Sequence, residues 1–465
     1  MATVLRLLAY WSRPEVPARR LSLATVALLP LAAGYFLSYL FRNVNGLVAG
    51  DIMHDLGIGA DALGLLTSVY FLTFALAQLP VGILLDRYGP RRVQCALLLC
   101  AAAGAGLCGI NAGFAGLLAG RALIGLGTAG GLVAGLKAST QWFPRERLST
   151  VNGMFIMCGG LGAFAATVPA EFLLRFVGWR GLSAILTVAT CLVALVVWRI
   201  VPDTARASAQ AEKPMRLRDV VRDPMFRRFA PLSASCFGTV LAVQGLWAGP
   251  WLADVNGRSR PEVASGLAYM AVVLIVAAPC WGYLTQRLRS RMNLTGVVAG
   301  AALALIATET LILSRTGLPC ELPWCLFASF GGMSVLSYSV LADQFPSAAI
   351  GRANGMLNVL HIGCSFAVQL VIGQVIAMWS PVAGRYPAQA YQAGLLVPVL
   401  LQIMALLWFV WPSRNGTEVT AFVVTKLKQE ARTSLHKMVG DRHRHRDHAV
   451  CVLGSRDGAA LPPRQ

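Results

Sequence analysis

The sequence predicts an all-α polytopic membrane protein with twelve transmembrane helices in two pseudo-symmetric six-helix bundles. Three observations lead there. The chain of 465 residues is 56% hydrophobic and only 13% charged, with a mean hydropathy of +0.62, whereas a soluble domain carries about a quarter charged residues. The apolar residues gather in twelve runs near the roughly 20 residues that cross a bilayer. The two halves of the chain also repeat one another.

Charge and turn signals set the expected spans at 21–50, 62–85, 93–112, 114–137, 148–170 and 179–200 in the first half. In the second half they fall at 229–253, 263–285, 292–313, 321–342, 353–378 and 391–412. The expected organisation is an N-terminal segment 1–20, a first bundle 21–200, a central loop 201–228, a second bundle 229–412 and a basic tail 413–465. The stretch Met1–Arg20 has arginines and prolines but no short apolar core before a small-residue cleavage site, so span 1 is expected to serve as its own insertion signal.

Charge sets the orientation. Of the 40 Lys and Arg, 32 fall in the two tails and the even-to-odd loops, six in the opposite loops, and two, Arg42 and Arg121, within spans. The basic side is expected to be cytoplasmic, which puts both termini inside and the protein in the cytoplasmic (inner) membrane. Topology and anionic lipid headgroups account for the net charge of +19 without nucleic acid. The tail holds ten Lys or Arg and four of the six histidines, including "DRHRHRDH". A metal site is conceivable there, but mixed charge with few aromatics favours a disordered segment at the membrane surface. The eleven cysteines sit almost entirely in apolar segments and read as small buried hydrophobes. Cys320 and Cys325 flank an outer turn, but nothing else suggests a disulfide framework.

The internal repeat is explicit. "WFPRERLSTVNGM" before span 5 echoes "QFPSAAIGRANGM" before span 11, with Phe143-Pro144 and Phe345-Pro346 separated by 202 positions, as are Asn152-Gly153-Met154 and Asn354-Gly355-Met356. After span 2, "GILLDRYGPRR" has a weaker echo in "GYLTQRLRSR" after span 8. A duplicated six-helix unit with a site between its copies is a transporter plan.

These residues carry a family resemblance. Gly82, Asp86, Arg87, Gly89, Arg91 and Arg92 match the loop 2–3 signature of the major facilitator superfamily, and the resemblance runs the length of the chain. It implies that this loop latches an inner gate. Gly82 would let spans 2 and 11 approach, Asp86 would face the positive end of span 11, and the arginines would sit at the headgroups. An anchor obeying the positive-inside rule would explain the arginines alone. Span 4 opens "RALIGLGTAGGLVAG", which is similar to the family's R-x-x-x-G pattern. The resemblance makes Arg121 a candidate for proton coupling, with a plain interface arginine as the alternative. Span 5 lacks the Gly-Pro pair of drug-exporting antiporters.

Arg42 stands alone in an apolar run, with no charge between Arg20 and Asp51. A charge at that depth is costly and usually faces a cavity. Tyr35, Ser38, Tyr39, Arg42 and Asn45 share one helix face, and a guanidinium holds carboxylate or phosphate by two hydrogen bonds. Snorkelling to the outer headgroups is the alternative. "YLFRNVN" resembles the first helix of organic-anion and organophosphate-transporting branches, where such an arginine holds the anion. The second arginine those exchangers carry in span 7 is missing. Its place is taken by "AVQGLWAGPWL", with Gln244, Trp247 and Trp251 on one face, which fits a monoanion with an organic body. Span 11 adds Asn354, Asn358, His361, Ser365 and Gln369 in a polar line. His361 could couple protons or bond a neighbouring helix. Glu309 in span 9 could do the former or be a paired structural carboxyl.

The expected protein is a secondary active transporter performing proton-coupled uptake of a small, monocarboxylate-like organic anion by alternating access. Its substrate-binding residues would be Arg42, Tyr35, Tyr39, Asn45, Gln244, Trp247, Asn358 and His361. It is expected to be a monomer among membrane lipids, with no cofactor, metal or nucleic acid. A proton-driven drug or metabolite exporter and a non-transporting sensor remain alternatives. An enzyme is the weakest, since no ligand cluster, nucleophile elbow or phosphate-cradling loop is visible.

Overall fold

The computed structural model describes residues 18–110, 113–202, 217–289, 294–315, 318–345, 347–382 and 384–411. The body is Met1–Phe409, and Val410–Gln465 forms a second unit, of which only Val410 and Trp411 are described. The expectations for the tail from 413, its histidines and residues 1–17 lie outside the described residues.

The described chain is helical almost throughout, as a lipid-embedded backbone must be to satisfy its own N–H and C=O groups. In the first half, α1 (Ala18–Asn43) and α2 (Asn45–Leu56) form one long span with a slight break at Val44. Spans 2 and 3 form one 50-residue element, α3 (Ala60–Gly109), folded back at Gly89. That glycine takes φ 77° and ψ 166°, a conformation closed to side chains with a Cβ, and Pro90 follows it. Next come α4 (Gly113–Thr128), α5 (Gly131–Trp142), α6 (Arg145–Ala165) and α7 (Val168–Ile200), which turns at Gly178.

The second half begins with a short helix, α8 (Leu217–Arg222), and then α9 (Pro224–Ala242). Asp223 caps α9, its carboxylate accepting from the Phe226 N–H at 2.9 Å, a standard cap for exposed first-turn amides. The span continues through a π-helical turn at Val243–Trp247, a short α10 (Ala248–Pro250) and a second π turn at Trp251–Val255. There follow α11 (Arg260–Arg289), α12 (Leu294–Leu313), α13 (Glu321–Ser329) and, after a 3₁₀ turn, α14 (Ser334–Gln344). The chain closes with α15 (Ser347–Ile376) and α16 (Ala388–Val410).

Nine helices among the described residues are long and apolar enough to cross a membrane. This count takes α3 as one element, and it leaves out the shorter apolar stretch Val151–Ala165 and the broken helix α13–α14. The two halves meet where α15 packs on α3 and where α11 packs on α6 and α7. Bands of exposed Leu, Ile, Val, Phe and Trp on α7 and α16, such as Phe176 and Trp408, face outward, as lipid-contacting surfaces do.

Candidate functional site

Arg42 lies inside the bundle. It is 6% exposed, and aromatic rings surround its guanidinium carbon, with Tyr39 at 4.8 Å, Phe74 at 5.1 Å, and Tyr70 and Phe71 at 5.9 Å each. Ring faces attract a guanidinium, more strongly when water is excluded. They do not neutralise it. Its Nε has no hydrogen-bond partner, and among the described residues no carboxylate pairs with it. The cage is built on stitched helices. The Thr128 hydroxyl of α4 donates to the Tyr70 hydroxyl at 3.1 Å. Tyr70 donates to the Ser38 carbonyl of α1 at 3.5 Å.

The other expected residues of this helix face divide. Tyr39 is half-buried beside Arg42. Tyr35 is buried, stacked on Phe155 at 5.2 Å and edge-on to Tyr39 at 5.1 Å, so it backs the Tyr39 ring. Asn45 is buried and its amide donates to the Arg42 carbonyl at 3.2 Å, which ties down the break after α1.

Across the interface, span 7 runs against α1 and α2 at backbone contact. A Cβ on Gly249 would clash with the Gly46 carbonyl oxygen, so the crossing needs glycine there. Gln244 and Trp247 are buried in the first π turn, a helix type frequent at functional sites. The Trp247 indole donates to the Gln369 carbonyl of α15 at 3.2 Å. The polar line on α15 faces α9. His361 Nε2 sits 2.8 Å from the Ser233 hydroxyl, which donates to Ser337 at 2.8 Å. Ser365 donates to the Gly238 carbonyl at 3.0 Å. Asn354 and Asn358, further along, are half-buried.

Two aromatic features escaped the sequence reading. Tyr70, Phe71 and Phe74 look like ordinary core in an apolar span, although Tyr70 and Phe74 sit four apart on one helix face. Tyr338 of α14 has its ring centroid 6.3 Å from that of His361 on α15.

The loop 2–3 residues lie at the opposite end from Asp51. Asp86 pairs with Lys137 of α5 at 2.5 Å. Arg87 lies over Tyr88 at 5.2 Å and Arg91 over Trp198 at 4.7 Å, and Arg92 is exposed. A Cβ on Gly82 would meet nothing within 4 Å. Spans 2 and 11 instead come together at Gly64 and Gly373. The Asp51 end is joined across the halves. Arg260 donates to Asp51 at 2.6 Å, and the Ala60 N–H donates to the Tyr386 hydroxyl at 3.0 Å.

Two further buried charges sit within the halves. Arg121 is 5% exposed and lines a cavity among α2, α3, α4 and α7. Glu309 is buried beside Thr239, Trp324 and Pro398, with one oxygen accepting from Gln402 at 2.9 Å and the other unpaired. Cys320 and Cys325 are free thiols. No group of three or more His, Cys, Asp or Glu placed to hold a metal occurs among the described residues.

The family model for the Major Facilitator Superfamily matches residues 31–368. The chain belongs to the Major Facilitator Superfamily. It is a multi-pass membrane transporter and not an enzyme. Over 375 residues it is 27% identical to "Probable nitrate/nitrite transporter NarK2" of Mycobacterium tuberculosis, covering 78% of this chain and 90% of that one. It is 24% identical to "Probable nitrate/nitrite antiporter NarK1" of Thermus thermophilus, covering 81% and 87%. It is 23% identical to "Probable sulfoacetate transporter SauU" of Cupriavidus necator, covering 58% and 66%. Among solved structures, a bacterial homologue of the human lysosomal transporter Spinster, inward-facing and unoccupied, superimposes with a TM-score of 0.70 at 18% identity, covering 83% of this chain and 96% of that one. The Arg42 cage borders the interface of the two halves at the α1 and span 7 crossing, where a Cβ on Gly245 would lie 3.6 Å from the Arg42 carbonyl oxygen.

Proposed function

We propose that this transporter carries a small monoanion bound at Arg42. One observation carries the reading: a buried guanidinium walled by rings, with no carboxylate partner among the described residues. An unpaired buried charge costs several kcal/mol, and a substrate anion would offset that each time it binds. The guanidinium fork matches a planar oxyanion. A single arginine suits one negative charge, and the aromatic walls of Tyr39 and Phe74 suit a short organic body. The reading is therefore a monocarboxylate-like anion taken up with protons. Glu309 and His361 are the candidates for the proton step, being buried, titratable and each short of one hydrogen-bond partner.

A second reading, an inorganic planar monoanion of the nitrate type, is favoured by the near full-length likeness to the nitrate/nitrite proteins. Both readings use the same guanidinium. In either, the protein works as a monomer in the inner membrane with both termini cytoplasmic. We read the contacts joining the Asp51 end as those of an inward-facing state of an alternating-access cycle.

The test is substrate-driven proton movement in proteoliposomes holding a pH-sensitive dye, challenged with monocarboxylates, dicarboxylates, nitrate, organophosphates and lipophilic cations. Proton influx with a monocarboxylate that disappears in Arg42→Ala supports the first reading. A response to nitrate alone moves the substrate to the second. A response to lipophilic cations that survives Arg42→Ala ends both.

A further inference from the structure

A second buried arginine lacks a counter-charge, and the Arg42 reading does not use it. Arg121 sits on α4, eight residues from the helix start. Its Nε is unpartnered, and no described residue reaches it with a hydrogen bond or ion pair. No carboxylate is among the residues that line the cavity it faces. Arg121 borders a cavity of about 20 Å³, shared with Phe41, Val44, Cys108, Trp179 and Ser183, room for one water-sized body rather than several.

The cavity has a held wall. The Trp179 indole donates to Asp55 at 2.8 Å, and Arg180 donates to the same carboxylate oxygen at 2.7 Å. Asp55 is thus engaged with Trp179 and Arg180 and does not serve Arg121.

We propose that the Arg121 cavity binds one small inorganic monoanion of halide size, at a site separate from Arg42. A guanidinium cannot shed its proton in a protein, so Arg121 has no way to become neutral. It is poorly suited to relaying protons and well suited to holding a resident anion. The space admits a single small ion and excludes a carboxylate with a carbon chain. A dianion would leave a net negative charge in an otherwise apolar pocket. The inference stands whatever Arg42 carries.

The experiment uses the purified full-length chain in detergent with sulfate as the background anion at fixed ionic strength. Sodium bromide is titrated in and the thermal unfolding midpoint is read. Bromide is less stabilising than sulfate as a bulk salt, so a saturable rise reports binding. The expected result is a rise of a few degrees that persists in Arg42→Ala and is lost in Arg121→Leu. Cys108→Met fills the cavity with the charge left in place and should also abolish it, which decides the matter if Arg121→Leu does not fold. Bromide-soaked crystals should show anomalous density against the Arg121 guanidinium. Absence of a rise in the unmodified protein would overturn the proposal. So would a rise that survives Cys108→Met, or one that vanishes in Arg42→Ala.

Discussion

The two halves of the molecule bury opposite charges in matching places. In the first half, the cavity between α2, α3, α4 and α7 is lined by Arg121. In the second half, the cavity between α9, α12, α13 and α16 is lined by Glu309. The repeat offset of 202 places Phe41 of one opposite Val243 of the other. The architecture is duplicated and the chemistry is not. Glu309 has an amide partner in Gln402 and can be neutralised by one proton. Arg121 has neither a partner nor that option. On the readings proposed above, the first half, which also owns Arg42, would hold anions and the second would handle protons.

The largest test of this division is Arg42→Ala. Losing one side of a buried charge-assisted contact costs about 3 kcal/mol, within the usual range, or about a hundredfold. Transport of the monoanion should fall by that factor, measured as initial rate over substrate concentration. A loss below threefold would place the anion elsewhere. Next comes Glu309→Gln, which keeps the shape and the Gln402 contact but cannot ionise. Anion exchange should continue while the acceleration by an inward proton gradient disappears. If the gradient still drives uptake, the proton path runs through another group, with His361→Gln the next variant to measure.

A smaller effect is expected from Asp51→Asn. The Asp51–Arg260 pair joins the halves, but both side chains are over a third exposed, so its loss costs about 0.5 kcal/mol and shifts the conformational balance about twofold. Labelling of a cysteine placed between the halves near that pair should quicken accordingly. The smallest concerns Asp55, whose carboxyl is held below the usual range by the Trp179 indole and then by Arg180. A depressed carboxylate lends stability that is complete above its unfolded value and is lost as pH falls through the folded one. Trp179 fluorescence should therefore stay constant from neutral pH down to about 4 and change only below it.

Much of this was legible in the sequence because a bilayer leaves few options. Twenty apolar residues between charged loops must be a helix, so the spans could be read directly. Arg42 stood out because the same rule makes a lone charge conspicuous. Its cage did not, since Tyr70, Phe71 and Phe74 carry no signal that separates a binding wall from core. The polar line on α15 was visible as a stripe, but a stripe does not say what it faces. Here Ser233, Gly238 and Trp247 take up His361, Ser365 and Gln369. The glycine of the loop signature showed a similar limit. Gly82 was expected at a close crossing, and in this conformation the crossing is made by Gly64 and Gly373.

Span 7 has a further consequence for how the chain can change length. Each π turn encloses one residue more than an α turn, and the stretch from Val243 to Val255 contains two such turns. Each is a spare residue held in a loop of the helix, beside the crossing with Gly46. A single deletion at either turn can be absorbed by relaxation to α-helix, so the ends of the span keep their places while Gln244 or Trp251 rotates about the axis. These buried side chains can in this way be re-aimed by a change in length, with no substitution in the contact itself.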